Sequence, residues 1–180
     1  MACYFEDLYK NKISGDLVKE FKIANVHQIP YIEKVIVSAG IGKDGNDKNN
    51  FEGVCNEIAR ITGQKPCYRK SKVAIAGFNL KENQYVGVFA TLRGKKMYEF
   101  LERLVYISLP RIHDFTGFTK KSFDKGNNFS FGIKDHLIFS ELSYDTIVKN
   151  RGLNIILTIK NSDSIDKSVF LLKGFNFPIK

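Results

Sequence analysis

The segment around which the chain is organised is QKPCYRKSKVAIAGFNLKENQYVGVFATLRGKK, residues 64–96, here called the basic segment. It holds eight basic side chains and one acidic side chain, and so carries +7 of the chain's net charge of +9. Protein surfaces usually mix both signs of charge, so this depletion of acids predicts a polyanionic partner. Residues 71–84 are predicted to form a protruding loop between two strands, with Phe78 at its tip. Cations interleaved with aromatic rings and glycine are typical of RNA contacts.

The composition of the 180-residue chain limits the classes of protein to which it can belong. A hydrophobic fraction of 43% predicts a folded core, and a pI near 9.4 favours nucleic acid, an anionic membrane or an acidic protein as partner. No apolar run approaches the roughly 20 residues of a spanning helix, and the first ten residues lack the apolar core of a secretory signal. Three widely spaced cysteines, Cys3, Cys55 and Cys67, indicate a reducing compartment and thiols of the core type.

Hydrophobic periodicity predicts alternating helices and strands. Apolar residues at three- and four-residue spacing predict four helices: 4–24, 50–62 capped by Gly63, a helix that begins at Lys95 after Gly94 and is ended by Pro110, and a last helix with Ser162 or Asp163 as N-cap and Gly174 near its C-cap. Strands are predicted at 31–39, 85–92, 129–133 and 153–160, with a candidate strand from Cys67 to Ala76. This pattern predicts a single α+β domain, residues 1–180, with helices packed against a mostly antiparallel sheet.

One glycine pattern opens an alternative function. Residues 40–45, GIGKDG, follow a predicted strand and match the GxGxxG of dinucleotide-binding proteins. That site also needs an acid at the end of the next strand to hold the ribose, and no acid occurs between Arg60 and Lys81. A strand end where another backbone can approach closely is the competing interpretation.

Signs of catalysis are few. The three histidines, His27, His113 and His136, are far apart, and no zinc-protease, phosphate-loop or nucleophile-elbow motif occurs. The sequence therefore predicts no catalytic residue, no metal site and no cofactor. A basic protein-interaction module that binds no RNA stays open as a third interpretation.

Several motifs taken together resemble one known family. They are ITGQKP (61–66), AGF (76–78), TLRG (91–94), MYEFLERL (97–104), LPRIHDFTGF (109–118), KSFDKGNNFSFG (121–132) and RGL (151–153). Their order and spacing resemble the large-subunit ribosomal protein L5 family of bacterial and organellar type, from about Tyr9 to Pro178. This resemblance implies a structural constituent of the large ribosomal subunit, in an organelle, with a mitochondrion favoured, or in the bacterial cytoplasm.

The resemblance also implies partners and the residues that meet them. The partners are 5S rRNA and large-subunit rRNA in the central protuberance, peptidyl-site tRNA, and neighbouring ribosomal proteins that include one of the small-subunit head; no membrane is implied. The implied 5S rRNA contacts are Ser38, Gly40, Gln64, Lys65, Arg69, Thr91 and Arg93. The implied tRNA contacts are Lys72, Gly77, Phe78, Asn79 and Lys81. An intersubunit bridge in the loop-rich region 111–132 is implied through Arg111, His113, Asp114 and Lys121.

Overall fold

The structure is a computed structural model that describes residues 3–42, 47–113, 115–144, 147 and 149–180. Its α-helices are α1 (Tyr4–Leu8), α2 (Ser14–Phe21), α3 (Lys48–Thr62), α4 (Gly94–Arg103) and α5 (Ile165–Gly174). Its strands are β1 (Tyr31–Gly40), β2 (Cys67–Lys70), β3 (Tyr85–Leu92), β4 (Phe129–Ile133) and β5 (Leu153–Lys160).

The five strands form one sheet in the order β2-β3-β1-β5-β4. β2 pairs antiparallel with β3, so that Cys67 lies opposite Phe89 and Tyr68 opposite Val88, with an irregularity between Arg69 and Lys70. The predicted fold class, α+β with a mostly antiparallel sheet, is confirmed.

The chain divides into two compact units. Unit 1 comprises Met1–Val35, Arg93–Phe131 and Ile156–Lys180, and unit 2 comprises Ile36–Leu92 and Gly132–Ile155. The interpretation of the whole chain as a single domain stays a prediction.

Unit 1 is held together by packed aromatic rings. Phe5 and Phe175 are fully buried, with ring centroids 5.2 Å apart. Gly174 ends α5 where an added Cβ would lie 2.9 Å from the Ile13 side chain, so the close packing of α5 needs a glycine there. A second cluster surrounds Phe129, which is also fully buried.

In unit 2 the sheet is covered on one side by α3. Asp47 caps this helix by accepting a hydrogen bond from the Asn49 backbone N–H at 3.0 Å, and Gly63 ends it in the left-handed conformation at φ 64°. The apolar side of the helix buries Val54, Ile58 and Ile61. On β3, every second residue (Val88, Ala90 and Leu92) is buried, whereas the residues between them are only half-buried. The sheet in unit 2 therefore has one covered face and one open face.

Two predictions about helix ends were wrong. The helix predicted over 4–24 consists of α1 and α2 joined by a π-helical turn, Tyr9–Ile13, and it ends at Phe21, because Lys22 adopts the left-handed conformation at φ 49°. The last helix is capped by Ser164, whose hydroxyl accepts from the Lys167 N–H, while the Ser162 hydroxyl donates to the Ser164 carbonyl. Neither Ser162 nor Asp163 is therefore the N-cap.

The prediction that the three cysteines are core residues was also wrong in part. Cys3 is buried and Cys55 half-buried, but Cys67 is exposed on the edge strand β2. An edge strand has a neighbour on one side only, which explains why all four residues of β2 are exposed.

Candidate nucleic-acid interface

Three of the predicted contact residues meet on the open face of unit 2. Ser38 lies on β1 between the buried Val37 and Ala39, and Thr91 lies on β3 between two buried residues. The guanidinium of Arg69 on β2 lies over the Phe89 ring, 5.3 Å from its centroid. Because alternate residues of a strand share a face, Ser38, Arg69 and Thr91 point to the same side of the sheet.

The turn that joins α3 to β2 is fixed to the end of β3. Gln64 donates from Nε2 to the Thr91 carbonyl at 3.0 Å, and its own N–H donates to the Thr62 hydroxyl at 3.3 Å. These bonds hold the turn in a single position. Lys65 follows on this turn and is exposed, as is Gly40 at the end of β1.

The cations of β2 are supported by rings. Besides Arg69 over Phe89, the Lys70 ammonium lies 4.9 Å from the centroid of Tyr85. No ion pair joins Lys65, Arg69 or Lys70 to an acid within the ranges that the structure describes. Cation–π contacts orient a cation without neutralising its charge, so these groups keep their positive potential for a partner.

A group of rings on the covered side of β2 was missed by sequence reasoning. Phe51 of α3 stacks on Tyr85 at 4.0 Å between centroids, and Tyr68 meets both rings edge-on at 5.5 and 5.2 Å. Phe51 continues the apolar periodicity of α3, but it is only half-buried. The sequence did carry a signal, because Tyr68 directly precedes two basic residues, Arg69 and Lys70, on a short strand.

Beside these rings lies a cavity of about 520 Å³. Its walls are α3, the turn after α3 and Tyr68, and it is lined by Phe51, Cys55, Asn56, Ala59, Gly63, Gln64, Lys65, Pro66 and Tyr68. Burial raises the pKa of the Cys55 thiol, with the charge of Glu52 as a second cause, so Cys55 is a neutral wall residue near neutral pH.

The predicted loop, residues 71–84, has an ordered neck. Ser71 is buried, and its N–H donates to the Gln84 carbonyl at 2.9 Å. Its hydroxyl donates to the Lys81 carbonyl and accepts from the Gln84 N–H at 3.1 Å. The Gln84 side chain in turn accepts from the Lys81 N–H at 3.0 Å. These polar contacts fix the direction in which the loop leaves the sheet.

The tip of the loop is a tight turn with an exposed ring. Ile75 and Leu80 exchange backbone hydrogen bonds at 3.0 and 3.1 Å around a 3₁₀ turn, Ala76–Phe78. Phe78 is 75% exposed, and Asn79 reverses the chain at φ 53°. Lys72 and Lys81 are exposed, and Gly77 has no atom within 4 Å of the position of an added Cβ.

The other predicted contact residues lie in unit 1. Arg93 is exposed at the N-cap of α4, and Arg111, His113 and Lys121 are exposed in the loop-rich region 111–132. Asp114 lies outside the described residues. Of the seven residues expected to contact 5S rRNA, Arg93 belongs to unit 1 and the other six belong to unit 2.

A buried ion-pairing group in unit 2 was also missed. His136 and Glu57 are almost fully buried, with Nε2 and Oε2 3.4 Å apart. The Glu57 carboxylate raises the pKa of His136 above its ordinary value, whereas burial lowers it. Hydrogen bonds with the Asn150 side chain and the Arg151 backbone raise this pKa further. Sequence reasoning had no signal for this pair, because the two residues are 79 positions apart.

Within the residues that the structure describes, no three His, Cys, Asp or Glu side chains gather as a metal site, and no helix is long and apolar enough to span a membrane. The second half of the GIGKDG stretch, residues 43–45, lies outside the described residues.

Comparisons with known proteins identify relatives along almost the whole chain. Residues 25–81 match the family model described as Ribosomal protein L5, and residues 85–179 match the model described as the C-terminus of the same ribosomal protein family. Large ribosomal subunit protein uL5c of Gracilaria tenuistipitata var. liui is 47% identical over 173 residues, 95% of each chain. Large ribosomal subunit protein uL5 of Colwellia psychrerythraea is 42% identical over 174 residues, 97% of this chain and 96% of its own.

Proposed function

Since the chain belongs to the ribosomal protein L5 family, we propose that it binds 5S rRNA through the open face of unit 2. It is a structural, non-enzymatic constituent of the large ribosomal subunit, in an organelle or in a bacterial cytoplasm. The dinucleotide-dependent enzyme considered above is thereby excluded.

One observation carries the proposal of 5S rRNA binding. Ser38, Arg69 and Thr91 share a face whose described residues in unit 2 include no acid, with Lys65 on the adjoining turn. Hydroxyl groups there suit ribose 2′-hydroxyls, and cations suit phosphates. Gln64 supports the interface from below by fixing the turn to Thr91. Gly40 and Arg93 remain predicted contacts on the same basis of family membership.

Binding to purified 5S rRNA over a series of salt concentrations tests this proposal. We expect the logarithm of the association constant to fall linearly with the logarithm of salt. Lys65→Ala and Arg69→Ala should each flatten the slope by roughly 0.7 to 0.9. A wild-type protein that binds 5S rRNA no better than an unrelated RNA of equal length would refute the proposal.

The loop 71–84 is proposed to contact peptidyl-site tRNA. Its exposed ring, Phe78, stands between the exposed cations Lys72 and Lys81, with Gly77 and Asn79 shaping the tip. Aromatic rings flanked by cations suit an RNA backbone with accessible bases. The fixed neck would hold this tip away from the sheet at constant distance, as a contact to a second RNA requires.

A shortened loop tests this second contact separately. Replacing Ala76–Asn79 with Asn-Gly, which favours a two-residue hairpin turn, keeps the Ile75–Leu80 pairing and the Ser71 neck. We expect normal folding and 5S rRNA binding, with faster loss of tRNA from the peptidyl site of reconstituted ribosomes. Unchanged tRNA retention would remove the loop from that role.

Residues Arg111, His113, Asp114 and Lys121 are proposed to meet a protein of the small-subunit head. Family membership supports this contact, together with the exposure of Arg111, His113 and Lys121. Loss of subunit association in an Arg111→Ala and Lys121→Ala double variant would be the expected result, with 5S rRNA binding unchanged.

A further inference from the structure

The cavity between α3 and Tyr68 has the features of a pocket for a flat ligand. Its volume of about 520 Å³ lies in the range, roughly 300 to 1,000 Å³, that is typical of small-molecule sites. Most of its walls are apolar, with the side chains of Asn56, Gln64 and Lys65 as the polar exceptions. Carboxamide groups both donate and accept hydrogen bonds, as the pairing edges of nucleobases do.

The Tyr68 ring at this cavity is oriented by neighbouring aromatic rings. Tyr68 contacts Phe51 and Tyr85 only through edge-on geometry, at interplanar angles of 87° and 78°. Tyr68 nevertheless remains 51% exposed on β2, beside the rings from α3 and β3. A ring that is already oriented loses little conformational entropy when a ligand stacks on it. The open ring surface is therefore an efficient stacking platform.

Charge at the rim favours an anionic ligand. Lys65 is exposed at the cavity, and Lys70 lies two residues beyond Tyr68 on the same side of β2, over the Tyr85 ring. An acid, Glu52, follows Phe51 in α3, and it is exposed. The lining itself contains Lys65 as its charged residue and no acid. The sugar–phosphate backbone of an RNA can thus lie along the rim while one of its bases enters the cavity.

From these observations we propose that this cavity receives one unstacked base of the bound ribosomal RNA. Sequence-specific recognition of RNA commonly places splayed bases of loops and bulges on aromatic side chains. The proposal rests on the RNA binding proposed above and adds a second mode to it. The open face would neutralise phosphates, whereas the cavity on the other side of β2 would read a base.

Two variants with one matched control test the cavity with purified 5S rRNA as the probe. Tyr68→Leu removes the ring but keeps apolar volume, and Ala59→Leu fills the cavity from α3. Tyr68→Phe keeps the ring and serves as control. Since stacking contributes about 1–3 kcal/mol per base, we expect affinity to fall roughly 5- to 150-fold in Tyr68→Leu, with an unchanged salt slope, because no phosphate contact is lost.

Chemical probing of the RNA identifies the base. Dimethyl sulfate and a carbodiimide, which together modify the pairing edges of all four bases, should show one single-stranded base protected by wild type and by Tyr68→Phe. The same base should become reactive with Tyr68→Leu and with Ala59→Leu, at protein concentrations that saturate the RNA. Thermal unfolding shows that each variant is folded, so that loss of protection reports on the cavity.

The possible outcomes separate the two proposals. Wild-type affinity and wild-type protection in both cavity variants would overturn the base pocket and leave the open face intact. Absence of 5S rRNA binding by the wild type would instead overturn the proposed function. If both variants bind 5S rRNA normally but lose a neighbouring protein in assembled subunits, the cavity holds a polypeptide and the inference is wrong.

Discussion

Two regions of the chain, the basic segment and the loop-rich region 111–132, both combine aromatic rings with lysines and glycines, yet they differ in how far some of these rings are exposed. In the basic segment, Tyr68 is 51% exposed and Phe78 is 75% exposed. In the loop-rich region 111–132, Phe129 is fully buried and Phe131 is 9% exposed. Composition alone thus does not distinguish an exposed surface from a core.

The difference follows from the hydrogen bonds that the backbone forms in each region. Residues 111–132 are anchored to the C-terminal residues, because Phe118 donates from N–H to the Pro178 carbonyl at 2.8 Å and accepts from the Lys180 N–H at 2.9 Å. Asp124 forms the following turn by accepting from the N–H groups of Gly126 and Asn128. These bonds direct the phenylalanines inward, whereas the polar neck at Ser71 directs the loop 71–84 outward.

The largest effect that the comparison predicts is on stability. Phe129→Ala should lower the free energy of unfolding by about 3–5 kcal/mol, because the ring is fully buried against Phe118 and Phe131. Phe78→Ala should change it by less than about 0.5 kcal/mol, as expected for an exposed site. Urea unfolding of both variants measures the contrast. Equal losses would mean that the loop tip is part of a core.

A smaller effect is expected at the neck of the loop. Ser71→Ala leaves the Gln84 N–H without its hydroxyl acceptor and should cost about 1–3 kcal/mol. Hydrogen exchange of residues 72–83 should quicken at the same time, because the direction of the loop is no longer fixed. Lys72→Ala, next along the chain but exposed, is the matched control. Unchanged exchange in Ser71→Ala would show that the tip alone orders the loop.

A third effect, on pH dependence, belongs to unit 2. The Glu57 carboxylate holds the pKa of His136 above its ordinary value in the folded protein. The stabilisation from the protonated imidazole is therefore complete below about pH 6.5, the ordinary value, and is lost as the pH rises through the folded-state pKa. His136→Gln should remove this component, measured as the difference between its unfolding free energy and that of wild type at several pH values. A difference that does not vary with pH would contradict the ion pair.

Much of this architecture follows from periodicity. The α3 boundaries, the Gly63 cap and strands β3 and β5 agree with the apolar pattern to within two residues. The burial of Phe129, Phe131 and Ile133 agrees with their period of two. The N-cap of α5 was misplaced, because Ser162, Asp163 and Ser164 are all good capping residues, and only the backbone decides among them.

The candidate site was predictable where its residues are close in sequence or on alternate positions of strands. Exposed Lys65 and Arg69 follow from the acid-poor segment itself. The cavity and the His136–Glu57 pair were not predictable, since each depends on α3 meeting segments far away in sequence. Tertiary packing, which no local pattern encodes, decides both.

The central claim is that the open face of unit 2 lies against RNA while the loop-rich region of unit 1 does not. Hydroxyl-radical oxidation of side chains, read by mass spectrometry with and without saturating 5S rRNA, tests it most directly. Phe89 lies on the open face, and Phe123 is similarly half-buried in unit 1. We expect 5S rRNA to reduce oxidation of Phe89 and to leave that of Phe123 unchanged. Undiminished oxidation of Phe89 in the formed complex would contradict the account.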